Sequence, residues 1–383
     1  MTNYDAIVIG GGPGGSTVSI LLAQEGHRIL LLEKSRFPRH KLCGEFITPE
    51  CSEILERLGV GERMFQAGAQ RIHQWTIFAP DGRAIRIPIA WIADGAQTGM
   101  GLTRARMDAI LLDRAREMGV EIRENFLVAP RFENRDGLGT VEGKADGVTI
   151  ERFSGRLVID ASGRHSVFSE EIPAASAPAP RLFGCKVYLR GISGLSGTGE
   201  LFFFRDGYGG VVEVEDERVN LCFCTTEATL RAAKGDREKL LDLTLRSNPA
   251  ARHRLRGATI DGEWLGTGPI RYGWKRPRAG MLAVGDAGAF IDPFTGSGLW
   301  MALSSGELAA QVINRSWAEG LHNADRIANR YRQRHHASLG LRFMACGLLR
   351  GLTSRPLTRN LLVSLLARYP SLLKLVALST RRA

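Results

Sequence analysis

The fold is decided by a stretch near the N-terminus that reads Ile7-Val-Ile-Gly-Gly-Gly-Pro-Gly-Gly15. An apolar, β-branched run leads into these glycines, and residues 16–24 after them contain the helix formers Leu and Ala. A second apolar run lies at residues 29–32. The order of these segments predicts a strand, a glycine turn, a helix and a second strand, which together make a βαβ unit.

Three glycines of this turn, Gly10, Gly12 and Gly15, occupy the positions of a GxGxxG fingerprint. Such glycines allow a tight turn, the approach of a pyrophosphate to the backbone, and close packing of the helix on the strand. The helix N-terminus adds a partial positive charge. Glu33 follows the second strand, where its carboxylate can accept hydrogen bonds from ribose hydroxyls. We therefore expect a dinucleotide to bind here.

A second segment of the same design lies far along the chain and reads Leu282-Ala-Val-Gly-Asp-Ala-Gly-Ala-Phe-Ile-Asp-Pro293. We expect a strand at residues 281–284, Asp286 at its carboxyl end, and a later helix at residues 299–315. The carboxylate can hold the ribityl hydroxyls of a flavin, and the helix N-terminus can face the pyrimidine end of its ring. A nicotinamide cofactor needs only the first motif, whereas FAD is long enough to need both. The two motifs together predict a flavoprotein that binds FAD.

A third loop, Asp160-Ala-Ser-Gly-Arg-His-Ser166, follows a strand of buried type. With these motifs the chain resembles the FAD-dependent family of p-hydroxybenzoate hydroxylase-type monooxygenases, flavin-dependent halogenases and geranylgeranyl reductases, over nearly its whole length. The segment Phe37-Pro-Arg-His-Lys-Leu-Cys-Gly-Glu-Phe-Ile-Thr-Pro49 is similar to the K-x-C-G segment of geranylgeranyl reductases. The resemblance implies that Cys43 and Gly44 lie beside the isoalloxazine ring and that Arg104 contacts the cofactor near its pyrophosphate.

The motifs and the resemblance together give one set of candidate cofactor-binding residues. They are Gly10, Gly12, Pro13, Gly14, Gly15, Glu33, Lys34, Arg39, Cys43, Gly44, Arg104, Asp160, Asp286, Pro293, Gly296, Gly298 and Leu299. The candidate catalytic residues are Cys43, whose thiol could donate a proton beside the flavin, and Tyr208 in the substrate region. No metal site is expected, because the six cysteines form no CxxC pair and no group with histidine.

The chain departs from two branches of this family. Halogenases carry a W-x-W-x-I-P motif and a lysine that handles hypohalous acid, but this chain lacks the tryptophan motif and has no lysine between Lys41 and Lys144. Archaeal geranylgeranyl reductases carry a Y-x-W-x-F-P motif, of which only Tyr208 has a counterpart here. Halogenation is therefore disfavoured, and the substrate stays open.

We predict an α/β fold, α+β overall, with a Rossmann-like FAD-binding domain, an inserted antiparallel-sheet substrate domain and a C-terminal helical segment. The FAD-binding domain takes residues 1–70, 98–175 and 276–325, and the substrate domain takes 71–97 and 176–275. The substrate domain has strand-like runs at residues 73–79, 84–89, 201–205, 210–214 and 220–225, and the region is rich in Ile, Val, Phe and Trp. They indicate a lipophilic substrate.

The net charge of +11 comes from the C-terminal helical region, residues 326–383, which holds twelve Lys and Arg residues and no Asp or Glu. This charge could mark a contact with an acidic membrane face or with a phosphorylated substrate. The amphipathic helices of the region could cap the substrate cavity or contact a membrane peripherally. A nucleic acid is a poorer partner, because no recognition motif accompanies the charge. The chain has no apolar run long enough to span a bilayer and no signal-peptide pattern, so we expect it in the cytoplasm or peripheral to the inner membrane face.

The leading hypothesis for the function is an FAD-dependent oxidoreductase that reduces a C=C bond of a lipophilic substrate by hydride transfer from flavin N5. The electrons would come from NAD(P)H bound transiently or from a carrier protein, because no second dinucleotide fingerprint is present. The alternative is an NAD(P)H- and O2-dependent monooxygenase that hydroxylates or epoxidises an aromatic, polyketide or isoprenoid substrate. A third hypothesis is a protein that holds flavin without turnover.

Overall fold

The computed structural model describes residues 3–92, 98–135, 137–172, 181–354 and 356–379. The strands in this part of the chain are β1 (Asn3–Ile9), β2 (Ile29–Leu32), β3 (Phe46–Ile47), β4 (Gln70–Ile72), β5 (Gln74–Phe78), β6 (Ala84–Pro88), β7 (Gly99–Gly101), β8 (Glu121–Arg123), β9 (Phe126–Arg135), β10 (Leu138–Ala145), β11 (Thr149–Asp160), β12 (Ser169–Glu171), β13 (Leu182–Arg190), β14 (Thr198–Phe204), β15 (Gly207–Glu213), β16 (Val219–Thr226), β17 (Thr259–Ile270), β18 (Gly273–Pro277), β19 (Met281–Ala283) and β20 (Ala289–Phe290).

The helices in the same part of the chain are α1 (Pro13–Gln24), α2 (Cys51–Arg57), α3 (Gly61–Gln66), α4 (Arg104–Glu117), α5 (Glu227–Ala233), α6 (Arg237–Leu243), α7 (Pro249–Arg254), α8 (Gly298–Ala318), α9 (Ala324–Ser354), α10 (Pro356–Arg368) and α11 (Pro370–Ser379). Short 3-10 turns lie at Ile89–Trp91, Leu245–Ser247, Gly285–Ala287 and Pro293–Thr295.

The first large sheet has the strand order β8-β2-β1-β11-β10-β9, and β19 also pairs with β11. Its centre is parallel, with Ile9 beside Asp160 and Asp160 beside Ala283. Because parallel strands end at the same edge, the glycine turn, the Asp160 loop and the Asp286 segment meet there. The predicted βαβ unit and the strands before both acidic motifs are therefore confirmed.

Both faces of the parallel centre of this sheet are buried. In β1, Ala6 and Val8 pack with α1, α4 and α8, while Ile7 and Ile9 join a second cluster on the other face. This alternation follows from the two-residue period of a strand, and burial on both faces explains its continuous apolar run. Helices α1 and α8 approach closely, because a Cβ on Gly306 would lie 2.5 Å from the carbonyl oxygen of Gly14.

The second large sheet has the order β17-β13-β16-β15-β14-β5-β6. It is antiparallel except for one pair, β5 and β14, which run parallel. Sequence patterns indicated β5, β6 and β14 to β16 but missed the long strands β13 and β17. One face packs Val187, Leu221 and Phe204 against residues of α6 and α7. The alternate residues point to the other face.

The C-terminal helices α10 and α11 cover β6, where Val363, Leu366 and Leu373 pack with Ile85. Within the described residues, no helix is both long and apolar enough to cross a membrane.

The domain boundaries predicted from the sequence are not marked by gaps between elements. Three of them fall inside β4, β18 and α9, and the other two fall at residues 93–97 and 173–180, which lie outside the described residues. Their placement stays a prediction.

Candidate active site

The glycine turn after β1 has closed and open sides. Gly10 has φ +107°, and a Cβ there would lie 2.5 Å from the carbonyl oxygen of Ala161. A Cβ on Gly15 would lie 1.9 Å from the carbonyl oxygen of Gly10, so neither position accepts a side chain. A Cβ on Gly12 would meet only Nη2 atoms of Arg104 and Arg39, each at 3.9 Å. The turn is thus packed against the sheet behind and open toward two guanidinium groups in front.

Helix α1 begins at Pro13, and its N-cap residue Gly12 provides no side-chain hydrogen bond. The first N–H groups of the helix are therefore left for another acceptor. Gly14 lies against α8, since its Cβ would be 2.9 Å from the carbonyl oxygen of Ala302. Gly12 thus faces the open side of the turn, whereas Pro13 is buried and Gly14 and Gly15 lie against neighbouring backbone.

Glu33 is buried beneath this turn. Its Oε2 accepts a hydrogen bond from the backbone N–H of Gly11 at 2.8 Å, and its Oε1 accepts one from Ser35 at 2.9 Å. The Nε of Arg39 lies 3.9 Å from Oε1. The carboxylate is therefore fixed beside the turn, as ribose recognition requires, while its neighbour Lys34 is exposed.

Two arginines share one buried carboxylate in front of the turn. Asp108 Oδ2 is 3.1 Å from Arg39 Nη1 and 2.6 Å from Arg104 Nη2. Burial disfavours the charged form of Arg104, but the charge of Asp108 outweighs this effect and raises the pKa of Arg104. Burial, together with Arg104 and Arg39, lowers the pKa of Lys41. This excess of positive charge suits a pyrophosphate.

The two aspartates at the strand ends have different environments. Asp160 is fully buried, and its carboxylate accepts hydrogen bonds from Ser162, Ser166 and Ser169, so it shapes its own loop. Asp286 is half-buried in a 3-10 turn that follows β19, and its charge favours the protonated form of Lys41. Of the two, only Asp286 is accessible to a ligand.

Cys43 and Gly44 have different surroundings. The thiol of Cys43 accepts a hydrogen bond from the backbone N–H of Glu45 and interacts with Arg104. Gly44 is exposed, and a Cβ there would meet nothing within 4 Å. Gly44 borders an apolar cavity that Cys43 does not line. The structure therefore places Cys43 on the arginine side rather than in the cavity.

The backbone at the start of α8 is also open to a ligand. A Cβ on Gly298, the first residue of α8, would meet nothing within 4 Å, and the helix has no side-chain cap. Gly296 has φ +64° and lines the cavity with Pro293, whereas Leu299 is buried. Open glycines at two helix N-termini, a fixed carboxylate and a buried cation cluster fit a dinucleotide stretched across the sheet edge.

The cavity beside Gly44 has a volume of about 230 Å³ and is mainly apolar. The second sheet contributes side chains such as Trp75, Ile87 and Phe203, and the C-terminal helices contribute Leu362 and Val363. A larger groove, about 430 Å³, runs between β19 and α9, but it is lined by none of the candidate site residues. We therefore assign substrate binding to the apolar cavity.

Burial keeps three titratable groups of the cavity wall, Tyr208, Cys222 and Cys224, protonated at neutral pH. Tyr208 donates a hydrogen bond to Asp292 Oδ1 at 2.6 Å, and burial, together with Asp292, raises the pKa of Tyr208. Burial also raises the pKa of Cys222, and that of Cys224 to about 12. Burial raises the pKa of Asp292 as well. The wall thus presents a phenol and two thiols to an otherwise apolar space.

Sequence reasoning missed a buried network next to Gly44. Lys186 Nζ lies 2.6 Å from Glu45 Oε1 and donates to the hydroxyl of Tyr188 at 2.9 Å, and Tyr188 donates to the same Glu45 oxygen. The only sequence signal was a lysine within the apolar run of β13. The search for a halogenase lysine covered only residues between Lys41 and Lys144 and therefore did not include Lys186. Lys186 is paired with Glu45 and is not among the residues that line the cavity.

Comparison with known proteins identifies this arrangement. Residues 3–183 match a family described as an FAD binding domain. The matched residues therefore form an FAD-binding domain of the kind that is similar to those of flavin-dependent halogenases and reductases. In this flavoprotein the match covers the glycine turn, Glu33, the Cys43 segment, Arg104 and the Asp160 loop.

Relatives of this flavoprotein include halogenases and reductases. The flavin-dependent halogenase armH1 of Armillaria mellea is 28% identical over 84% of this chain and 68% of its own length. The digeranylgeranylglycerophospholipid reductase of Methanosphaerula palustris is 27% identical over 81% of this chain and 76% of its own length. Conditioned medium factor receptor 1 of Dictyostelium discoideum is 26% identical over 82% of this chain. The match spans only 64% of the length of that relative.

Solved structures confirm the fold. The myxobacterial chondrochloren halogenase CndH matches with a TM-score of 0.78 and 26% identity, covering 90% of this chain and 82% of that chain. The flavin-dependent brominase Bmp2 matches with a TM-score of 0.82 and 18% identity, covering 100% of this chain and 95% of the brominase chain. The predicted superfamily and fold class are therefore confirmed, and halogenases are as similar to this chain as reductases are.

Proposed function

We propose that this flavoprotein reduces a C=C bond of a lipophilic, isoprenoid-like substrate. The observation that carries the proposal is the apolar cavity, which is bordered by Gly44 and by residues 293–296 of the two flavin motifs. A substrate in this cavity would lie next to the ring of a bound flavin. FAD, when bound, would supply a hydride to one carbon of the double bond.

The second carbon needs a proton, and the cavity wall offers Tyr208 as its donor. The phenol stays protonated at neutral pH, and its hydrogen bond to Asp292 fixes its position. Cys222 and Cys224 are weaker candidates, because neither thiol is hydrogen-bonded to a carboxylate within the described residues and Cys224 is hydrogen-bonded to Tyr208 itself. In this proposal Cys43 holds Arg104 rather than the substrate, and NAD(P)H bound transiently or a carrier protein supplies the electrons.

Reduction is favoured over halogenation because the cavity has no free lysine among its lining residues. Lys186, a buried lysine next to the cavity, forms an ion pair with Glu45. Among the described residues that line the cavity none carries a charged side chain, which also favours a substrate without charge near the reacting bond.

The proposal is tested by anaerobic turnover. Enzyme reduced by dithionite is mixed with a polyprenyl alcohol, and flavin reoxidation is followed by absorbance and the product by mass spectrometry. We expect reoxidation without oxygen and a product that has gained two hydrogen atoms. Asp286→Ala, which should lose FAD, is the control for flavin dependence.

Other outcomes of this experiment identify other functions. A product that forms only with oxygen and gains an oxygen atom would support the monooxygenase. A product that needs both oxygen and bromide or chloride would support a halogenase. Bound FAD that is never reoxidised by any substrate would support a flavin-holding protein.

The proton donor is tested separately with Tyr208→Phe. We expect this variant to keep FAD and to lose roughly 10²–10⁴-fold in kcat, the usual contribution of a general acid. Unchanged turnover in Tyr208→Phe would move the role to another group.

A further inference from the structure

The outer surface of the C-terminal helices carries large apolar side chains that nothing in the described structure covers. Leu341, Met344 and Leu348 are 70%, 72% and 67% exposed and recur at helical spacing along α9. We call them, together with Leu361, Leu365, Tyr369 and Leu375, the outer cap face. Such a continuous apolar stripe on a surface helix indicates a binding partner.

The helices of this face are apolar on both sides. In α10, Leu362, Val363 and Leu366 line the cavity, whereas Leu361 and Leu365 point outward. In α11, Leu373 and Val376 line the cavity, whereas Leu375 is exposed. The cavity accounts for the apolar side chains on the inner sides of these helices but not for those on the outer sides. Exposed apolar side chains opposite a buried stripe indicate a second surface that binds a partner.

The charge around this face selects the environment. Residues 326–383 contain twelve Lys and Arg residues and no Asp or Glu. Arg334, Arg368 and Lys374 are exposed on the same helices as the apolar stripes. Tyr369 is half-exposed at the junction of α10 and α11, a residue type that favours the level of lipid headgroups. Apolar side chains flanked by cations match an anionic bilayer surface.

We propose that the outer cap face docks this protein on an anionic lipid bilayer, with its apolar side chains in the headgroup region. The helices lie flat on the surface. Because the inner sides of the same helices line the cavity, a substrate dissolved in the bilayer would reach the cavity past a single helix layer. That consequence rests on the proposed function, whereas docking itself does not.

The test is co-sedimentation of the purified, FAD-loaded full chain with vesicles, measured without substrate. One set contains phosphatidylcholine alone, and the other contains equal parts of phosphatidylcholine and phosphatidylglycerol. We expect sedimentation with the anionic vesicles that weakens as salt is raised. A chain that stays in the supernatant with both sets would overturn the proposal, whatever its activity.

Variants assign the binding to this face. The triple variant Leu341→Ser, Met344→Ser, Leu348→Ser should bind at least about tenfold more weakly, because it loses three inserted apolar side chains. The matched control is Val148→Ser with Ile150→Ser, which removes exposed apolar residues from β11 and the turn before it. Arg368→Gln with Lys374→Gln should lose about tenfold or more on anionic vesicles only.

Flavin absorbance and melting temperature should be the same in all variants, because the substituted residues are exposed. Equal vesicle binding by the triple variant and the wild type would overturn the proposal. So would a dimer that forms through this face, seen as a concentration-dependent shift in size-exclusion chromatography that the triple variant abolishes.

Discussion

Two glycines of one turn differ in what their missing Cβ atoms would meet. At Gly15 a Cβ would collide with backbone at 1.9 Å, whereas at Gly12 it would meet only the ends of two arginines at 3.9 Å. The first glycine is therefore required by the fold and the second by whatever binds in front of the turn. A fingerprint read from sequence does not separate these two reasons.

Alanine substitutions at Gly12 and Gly15 distinguish the ligand requirement from the fold requirement. Gly12→Ala should fold, at a cost of no more than about 1 kcal/mol, and lower FAD affinity about tenfold or more, because a methyl group takes the place of the pyrophosphate. Gly15→Ala should lower the melting temperature of the FAD-free protein, since overpacking costs roughly 1–3 kcal/mol or more. Flavin titration and thermal unfolding measure the two effects. Gly266→Ala, where a Cβ has open space, is the control; equal effects of all three would contradict the assignment.

Asp292 gives a prediction about pH. Burial raises its pKa above the ordinary value of 3.8, so the folded state binds the proton more tightly than the unfolded chain does. Stability is therefore lost as pH rises from 3.8 through the raised pKa. Asp292→Asn keeps an oxygen that can accept from Tyr208 and Phe294 but cannot ionise.

We expect Asp292→Asn to raise the melting temperature at neutral pH by about 2–4 °C. The gain should disappear as pH falls to 3.8 and below, where both proteins carry a neutral side chain. Melting curves across pH measure it, with Asp146→Asn at an exposed position as control. A gain that is the same at every pH would mean that the buried charge is not its cause.

At the scale of elements, a buried ion pair joins the second large sheet to the segment between β2 and β3. Lys186 lies on β13 of the second sheet, and Glu45 lies in the segment between β2 and β3 that borders the cavity. Both side chains are fully buried, so each one neutralises the charge of the other, which would otherwise be buried without a partner. Glu45 also accepts from the first N–H of α4, which ties that helix to the same point.

Removing one partner should be more harmful than removing both. Lys186→Met should cost about 3–5 kcal/mol of the free energy of unfolding, because Glu45 is left buried without a cation. The double variant Lys186→Met, Glu45→Gln should recover part of this loss. Denaturant unfolding gives the values, with the exposed Lys239→Met as control. A double variant that loses the sum of both single losses would exclude coupling.

At the scale of the whole molecule, the cavity is made where three parts of the chain meet. The flavin segments provide its floor at Gly44 and Gly296, the second sheet provides one wall, and the C-terminal helices close it. The sequence indicated an apolar substrate region and a helical tail, and the structure shows that the tail covers this region. Helix α10 packs on β6 at this point.

Two residues on opposite sides of α10 test whether this helix closes the substrate cavity. Val363→Phe extends a side chain into the cavity and should lower kcat/KM for a long polyprenyl alcohol about tenfold, since overpacking by a ring costs roughly 1–3 kcal/mol. Leu361→Phe on the outer side should leave kcat/KM in detergent unchanged. Both should keep FAD. If Leu361→Phe were the more harmful variant, the cavity would not be the substrate site.

Local patterns were enough for one part of this protein. The βαβ unit, the strands before Asp160 and Asp286, and the helix α8 were predicted because strand and helix periods and turn glycines lie in consecutive residues. Strands β13 and β17 were missed, because their charged and glycine residues break the alternation expected of a half-buried strand. The parallel pairing of β5 with β14 was also missed, since pairing depends on residues far apart in the chain.

The sequence by itself therefore determined the superfamily, the FAD-binding glycine turn and the candidate residues at the strand ends, because each is written within a short segment with a fixed backbone requirement. Only the tertiary structure decided which of those residues are accessible. It placed Cys43 against Arg104, used Asp160 for its own loop, paired Lys186 with Glu45 and closed the cavity with α10 and α11. These outcomes depend on packing between distant segments, where burial and charge pairing select among contacts that no local pattern specifies.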